Sequence, residues 1–204
     1  MEFIVYSSNI KEQELINNNI TISNDAQIGE NVKIYFGVTV LGNSCIGDNV
    51  ELHSNSYIED SNIQANCKIY SSHLHSMEIG NNCLIKPFTN LSASSLGDNC
   101  VVGNFCVMNL SCIGNNCNIG SLTQLDGVDA GNNLIMQCGV CALGSEEYNI
   151  NIGDNVEIGA NSTVVAPIII SDDAKIVSNS VVSQNIEVGG LATNNIKQIN
   201  KVKR

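Results

Sequence analysis

From Ile22 to Val182 an aliphatic residue returns every five or six positions, and the residues between are polar, small or glycine. The anchors run Ile22, Ile28, Ile34, Val40, Ile46, Leu52 and Ile58 at intervals of six. They continue as Ile63, Ile69, Leu74, Ile79, Ile85, Leu91, Leu96, Val102, Met108, Ile113, Ile119, Leu125, Ala130, Met136 and Ala142. After a longer gap they resume at Ile152, Ile158, Val164, Ile170, Ile176 and Val182. Several anchors open a recurring Ile-Gly-Xaa-Asn unit, at residues 28–31, 46–49, 79–82, 113–116 and 152–155, with Leu96 leading a sixth. This period matches neither an α-helix nor a long alternating strand. It predicts short strands joined by corners, three six-residue sides to a coil, with successive coils rising by about 4.8 Å. The expected fold is all-β: a single-domain parallel β-helix of hexapeptide repeats over residues 21–188, with about nine to ten triangular coils.

Departures from the period mark where side chains are displaced. The first side of each coil, from 58 to 63, 74 to 79, 91 to 96, 108 to 113 and 125 to 130, is one residue short, which stacks one irregularity along one edge of the prism. Between Ala142 and Ile152 the extra segment Gly144-Ser145-Glu146-Glu147-Tyr148-Asn149 must loop out, and loops ejected from a regular solenoid commonly carry function. Residues 1–20 lie outside the repeat and read as an N-terminal cap, with one or two helical turns over 10–16, since a solenoid needs its first open edge covered. Gly189-Gly190 is expected to end the β-helix, leaving residues 189–204 as a polar basic tail.

Composition narrows the chemistry. The chain has nine cysteines but lacks a matched pair of Cys-Xaa-Xaa-Cys units, and Cys138 and Cys141 stand alone, so no metal site is expected. Cys67, Cys83, Cys100, Cys106, Cys112 and Cys117 each fall four residues after an anchor, the position expected to take a small inward-facing side chain. Reduced core thiols, with no secretory segment at the N-terminus, point to the cytoplasm. The opening Phe3-Ile4-Val5-Tyr6 is too short to span a membrane. Net charge is −11, and up to residue 196 the 20 acidic residues face only five lysines. Such a surface repels polyanions, so nucleic acid is not an expected partner.

From about Ile20 to Ile196 the chain resembles the C-terminal left-handed β-helix domain of the bifunctional UDP-N-acetylglucosamine pyrophosphorylase / glucosamine-1-phosphate N-acetyltransferase. The residues that carry the resemblance are Val102-Gly103-Asn104-Phe105, Gly120-Ser121-Leu122-Thr123, and Ile152-Gly153-Asp154-Asn155-Val156 through Val165-Ala166-Pro167. The resemblance implies a left-handed helix, a homotrimer, and acetyl-CoA and a sugar ligand meeting in grooves between adjacent subunits. The nucleotidyltransferase half of that family has no counterpart in these residues, and pyrophosphorylase activity is not expected.

Carried over residue by residue, the family's transferase machinery is replaced. After Gly-Asn-Phe the family's acid and lysine correspond to Val107 and Asn109. Its general-base histidine corresponds to Ser121, and the tyrosine of the same motif to Gln124. A serine hydroxyl has no accessible pKa near 7 and cannot take the amine proton unaided. The family's phosphate-binding arginine aligns near Ser92, its Asn-Tyr-Asp-Gly loop near Gly144, Ser145, Glu146 and Glu147, and the arginine of its C-terminal arm near Asn195. Ser92, Asn109, Ser121, Gln124, Gly144 and Ser145 are therefore the ligand-groove candidates by position.

His73 and His75, flanking Leu74 on the irregular edge, are the candidates for a relocated base. His73 falls in the expected inward register after Ile69 and His75 follows an anchor, so at least one should face outward. His53, one residue after Leu52, is expected to face solvent. Cys138 or Cys141 offers a nucleophilic thiol, though no histidine lies nearby in sequence to activate either. Asp126, Asp129, Glu146 and Glu147 would bind a cation if they converged, and otherwise form a solvated edge. Two function classes follow: an acyl-CoA-dependent acyltransferase acting on a sugar or sugar nucleotide at trimer interfaces, or a non-catalytic structural or regulatory trimer that has lost that chemistry.

Overall fold

The computed structural model describes residues 3–6, 12–145 and 147–193. Every anchor stands in register on its counterpart one coil earlier, which builds three columns. Ile22, Val40, Ile58, Leu74, Leu91, Met108, Leu125, Ala142, Val164 and Val182 form the column of the first face. Ile28, Ile46, Ile63, Ile79, Leu96, Ile113, Ala130, Ile152 and Ile170 form that of the second. The third runs through Ile34, Leu52, Ile69, Ile85, Val102, Ile119, Met136, Ile158 and Ile176. Most anchors are wholly buried, and each buried Ile or Leu contributes about 1.5–3 kcal/mol.

The Ile-Gly-Xaa-Asn unit is the corner between the second and third faces, and each of its positions has a separate cause. Glycine is required by close approach: a Cβ on Gly97 would lie 2.6 Å from Asn115 Oδ1 and 2.8 Å from the Gly114 carbonyl carbon of the next coil. The Xaa side chain of one coil accepts the backbone N–H of Xaa in the coil before it, as in Glu30 N–H to Asp48 Oδ1 (2.7 Å), Asp98 N–H to Asn115 Oδ1 (2.8 Å) and Asp154 N–H to Asp172 Oδ1 (2.8 Å). Asparagine follows because the corner needs a left-handed residue, with φ of 58° at Asn82, 59° at Asn99 and 57° at Asn116. Its amide then bonds the Asn below, Asn82 Nδ2 to Asn99 Oδ1 and Asn99 Nδ2 to Asn116 Oδ1, both at 3.2 Å.

The short sides move side chains in a way that corrects two expectations. Strand alternation places the second inward residue two positions before the next anchor, whatever the length of the side. On a five-residue side that position is occupied by Ser61, Met77, Ser94, Ser111 and Val128, all buried. Cys112, one residue before Ile113, is exposed, whereas Cys67, Cys83, Cys100, Cys106 and Cys117 are buried as expected. The side from Ile69 to Leu74 is also five residues long, so Ser72 turns inward and His73 outward.

Both ends add detail. Phe3–Val5 pairs antiparallel with Lys33–Tyr35, occupying the first edge of the third face, a strand the sequence pattern did not announce. The helix falls at Glu12–Asn17; Ile10 and Lys11 of the expected turns lie outside the described residues. Gly189-Gly190 does not end the third face, because Leu191–Ala192 still pairs with Lys175–Ile176. Residues 194–204, with the tail's four basic residues and Asn195, lie outside the described residues.

Two outcomes are expected. Gly97→Ala should lower stability by about 1–3 kcal/mol, read as a reduced melting temperature, because the corner has no room for a methyl group. In the native protein a maleimide should label the exposed Cys112 and Cys138 promptly and leave the five buried thiols unlabelled until denaturant is added, as mass mapping of labelled peptides would show.

Candidate functional site

The first face carries the polar side chains that sequence comparison singles out. Its outward positions form two columns beside the buried anchors. One runs Tyr57, His73, Asn90, Val107, Gln124 and Cys141, the other Glu59, His75, Ser92, Asn109, Asp126 and Leu143. His73, His75, Ser92, Asn109 and Gln124 are thus brought onto one surface. Both histidines face outward, so the expected inward register of His73 does not hold.

At the N-terminal end of the second column the groups are paired. His75 Nδ1 lies 3.5 Å from Glu59 Oε2, and the Tyr57 hydroxyl donates to the same oxygen at 3.1 Å. Partial desolvation and the Glu59 carboxylate push the Tyr57 phenol above its usual range, which keeps it a donor. His73 meets Tyr57 edge-on, with ring centroids 4.6 Å apart. Asp60, at the adjoining corner, completes with Glu59 and His75 a group of donor atoms within 4.8 Å of one another, a mixed carboxylate and imidazole set able to hold a divalent ion. Further along, Ser92 Oγ donates to Asn109 Oδ1 and Asn109 Nδ2 to Asp126 Oδ1, each at 3.1 Å. Tyr57, Glu59 and Asp60 were missed in the sequence because they join the histidines only across a 16-residue coil, shorter than the 17 or 18 residues of most others.

The remaining candidates sit at the two corners that border this face. Ser121 stands at the corner with the third face, where its Oγ accepts the Asn104 N–H at 3.0 Å. It lines a shallow groove with Lys86, Gly103 and Cys138. The same corner holds Phe88, Phe105 and Leu122 in the left-handed conformation, exposed, with the two phenyl rings stacked at 5.2 Å. Gly144 and Ser145 lie at the opposite corner: the Gly144 N–H donates to the Asp126 carbonyl at 2.6 Å, and Ser145 and Tyr148 close the loop on each other. Ser121 is three coils from His75, about 14 Å along the axis at the coil spacing. The structure does not bring the two together. Asp126 and Asp129 lie on different faces, either side of Gly127, so they do not converge on a cation; Glu146 lies outside the described residues.

His53 belongs to another surface. Rather than facing solvent freely, its ring is stacked between Tyr35 at 4.4 Å and Tyr70 at 3.8 Å on the third face, with Phe3 continuing the stack against Tyr35. Burial pushes the imidazole below its usual range, although the neighbouring Glu51 carboxylate acts the other way. Burial pushes Glu51 up in turn, but hydrogen bonds and charge from Lys33 and Lys68 outweigh it and hold the carboxyl low.

Comparison with known proteins agrees with this geometry. A family model for the bacterial transferase hexapeptide (six repeats) matches residues 25–60, and one for the hexapeptide repeat of succinyl-transferase matches residues 149–184. Solved structures share the fold: LpxA from Acinetobacter baumannii superposes with a TM-score of 0.60 at 19% identity, covering 87% of this chain and 70% of that one. UDP-N-acetylglucosamine acyltransferase from Arabidopsis does so with a TM-score of 0.58, also at 19% identity, covering 85% and 69%. The chain is therefore a left-handed β-helix of hexapeptide repeats, the fold these structures share.

Within that class it is similar to the C-terminal part of bifunctional protein GlmU. It is 34% identical to the protein of Caldanaerobacter subterraneus subsp. tengcongensis over 184 residues, 88% of this chain and 40% of the relative. It is 33% identical to that of Bacillus velezensis over 187 residues, 90% and 41%. The chain spans about two fifths of the length of these curated relatives. Among the described residues no helix is long and apolar enough to cross a membrane.

The third face yields a pH prediction. Because folding lowers the His53 pKa, the unfolded chain binds more protons below the usual histidine value of 6.5, so stability should fall as pH drops through 6.5. Glu51, also lowered, adds a second loss only below its usual 4.5. Denaturant midpoints between pH 7.5 and 5.5 should decline for the native chain and flatten in His53→Phe.

Proposed function

We propose that the chain transfers an acyl group from acyl-CoA to a sugar bound on the first face, with His75 as general base. The observation that carries the reading is the Tyr57–Glu59–His75 relay. Glu59 faces Nδ1 of the imidazole, which leaves Nε2 directed at an acceptor. In the step, an acceptor hydroxyl or amine attacks the thioester carbonyl carbon while Nε2 takes its proton. The C–S bond then breaks, and the departing CoA thiolate takes that proton from the imidazolium. Ser121 has no part in proton transfer, and its hydroxyl holds the Asn104 backbone instead.

The assembly we propose is a homotrimer whose subunits enclose the face. The exposed Phe88, Phe105 and Leu122 support it: bulky apolar residues held in a strained left-handed conformation at a surface corner, where other coils place Gly37, Asn55, Gly139 or Asn161, need a reason beyond the fold. Nine unpaired cysteines support a reducing compartment such as the cytoplasm. The second reading, a non-catalytic trimer, is favoured by one observation, the use of Ser121 as a backbone acceptor where the resemblance places a base.

Acetyl-CoA consumption, followed by chromatography because Cys112 and Cys138 would react with thiol reagents, should be detectable with a panel of sugars and amino sugars. His75→Gln should reduce turnover by about 10²–10⁴-fold. Glu59→Gln should cause a smaller loss together with a shifted pH profile. No consumption with any acceptor would establish the non-catalytic reading. Sedimentation should give three times the chain mass of 21.8 kDa; a monomer would overturn the shared-groove assembly.

A further inference from the structure

Resting on the reading of the first face as an acceptor site, we infer that the acceptor is a carbohydrate carrying no phosphate or other anionic group. The charges of the described residues are sorted by face. Lys33, Lys68 and Lys175 project from strands of the third face, and Lys86 directly follows another. Three of the four are already engaged, Lys33 and Lys68 with Glu51 and Lys175 with Glu157. Among the described residues the first face itself and its corner with the second face carry no lysine or arginine, and Lys86 alone stands at its corner with the third face, beside Gly103 and Ser121. That surface instead presents the carboxylates of Glu59, Asp60 and Asp126, all at least partly exposed.

Among the described residues no other lysine or arginine adjoins that surface. The described helix, Glu12–Asn17, belongs to the N-terminal segment. Anion binding requires cations or clustered backbone N–H groups, and a phosphate close to uncompensated carboxylates is repelled over about a Debye length. The groups that are present suit neutral hydroxyls. Ser92, Asn109 and Asp126 form a continuous ladder of donors and acceptors at one-coil intervals, a spacing comparable to that of alternate hydroxyls on a pyranose ring. In the neighbouring column Val107 stands exposed between Asn90 and Gln124, an apolar patch for the C–H face of a sugar. Sugar phosphates and sugar nucleotides are repelled as acceptors, and neutral sugars and amino sugars are accepted.

The test uses paired probes that differ only in phosphate, glucose with glucose-1-phosphate and glucosamine with glucosamine-1-phosphate, in saturation-transfer NMR titrations of the full chain. The unphosphorylated member of at least one pair should bind, with its partner at least about tenfold weaker at low salt and the gap narrowing as salt is raised. Asn109→Lys, a surface change, should narrow or reverse the preference. Equal or tighter binding of the phosphorylated probes, or no binding of any probe, would overturn the inference. The two proposals fail differently: acyl transfer to a phosphorylated sugar alone sinks the acceptor class, whereas neutral-sugar binding without any acetyl-CoA consumption sinks the transferase.

Discussion

Each coil of this protein stands on the one before it at the spacing of neighbouring β-strands, and the rest of the structure follows from that contact. Backbone N–H groups of one coil bond carbonyls of the next on all three faces, so the strand residues have in-register neighbours and the sequence must repeat. Coils approach closely at the corner between the second and third faces. There the glycine is needed for approach and not for torsion, the polar residue after it caps the N–H of the coil before, and the asparagine supplies both the left-handed turn and an amide for the ladder. The Ile-Gly-Xaa-Asn unit is the combined record of those three requirements.

Anchor positions, coil boundaries and the looped-out segment were legible because burial repeats them without ambiguity. Facing was less so. Counting forward from an anchor places Cys112 and His73 inside; counting back from the next one, as strand alternation demands, places them outside and Ser111 and Ser72 inside. The half-buried His53 could not be foreseen from its own register, since its cover comes from Tyr35 and Tyr70 one coil to either side. Phe3–Val5 was hidden for a similar reason: an antiparallel strand at the edge of a parallel sheet obeys no part of the hexapeptide period. Tyr57 and Glu59 became part of the site only when coil length brought them beside His73 and His75.

The departures from the family pattern acquire a physical meaning from the sorting of charge by face. Ser92 and Asn109 are members of one hydrogen-bonded column that ends on Asp126, and the residues best placed for proton transfer lie further toward the N-terminal end of that same column, at Glu59 and His75. The lysines sit on a different face, largely committed to Glu51 and Glu157. The scaffold thus keeps one side for uncharged polar contacts with acid around them, and keeps its cations elsewhere.

The buried thiols offer a different kind of reading. Cys67, Cys83, Cys100 and Cys117 occupy the same inward position in four consecutive coils, and each sulfur donates to the carbonyl of a corner glycine, Gly80, Gly97, Gly114 and Gly131 in turn. Neighbouring thiols and burial push Cys83 and Cys117 up, so these two stay protonated and unreactive inside the prism. Since a solenoid coil is held chiefly by the coils next to it, opening propagates along the axis rather than through the whole molecule at once. The four sulfurs therefore act as a graduated scale inside the protein: the order in which they become reactive reports the direction from which the helix unwinds.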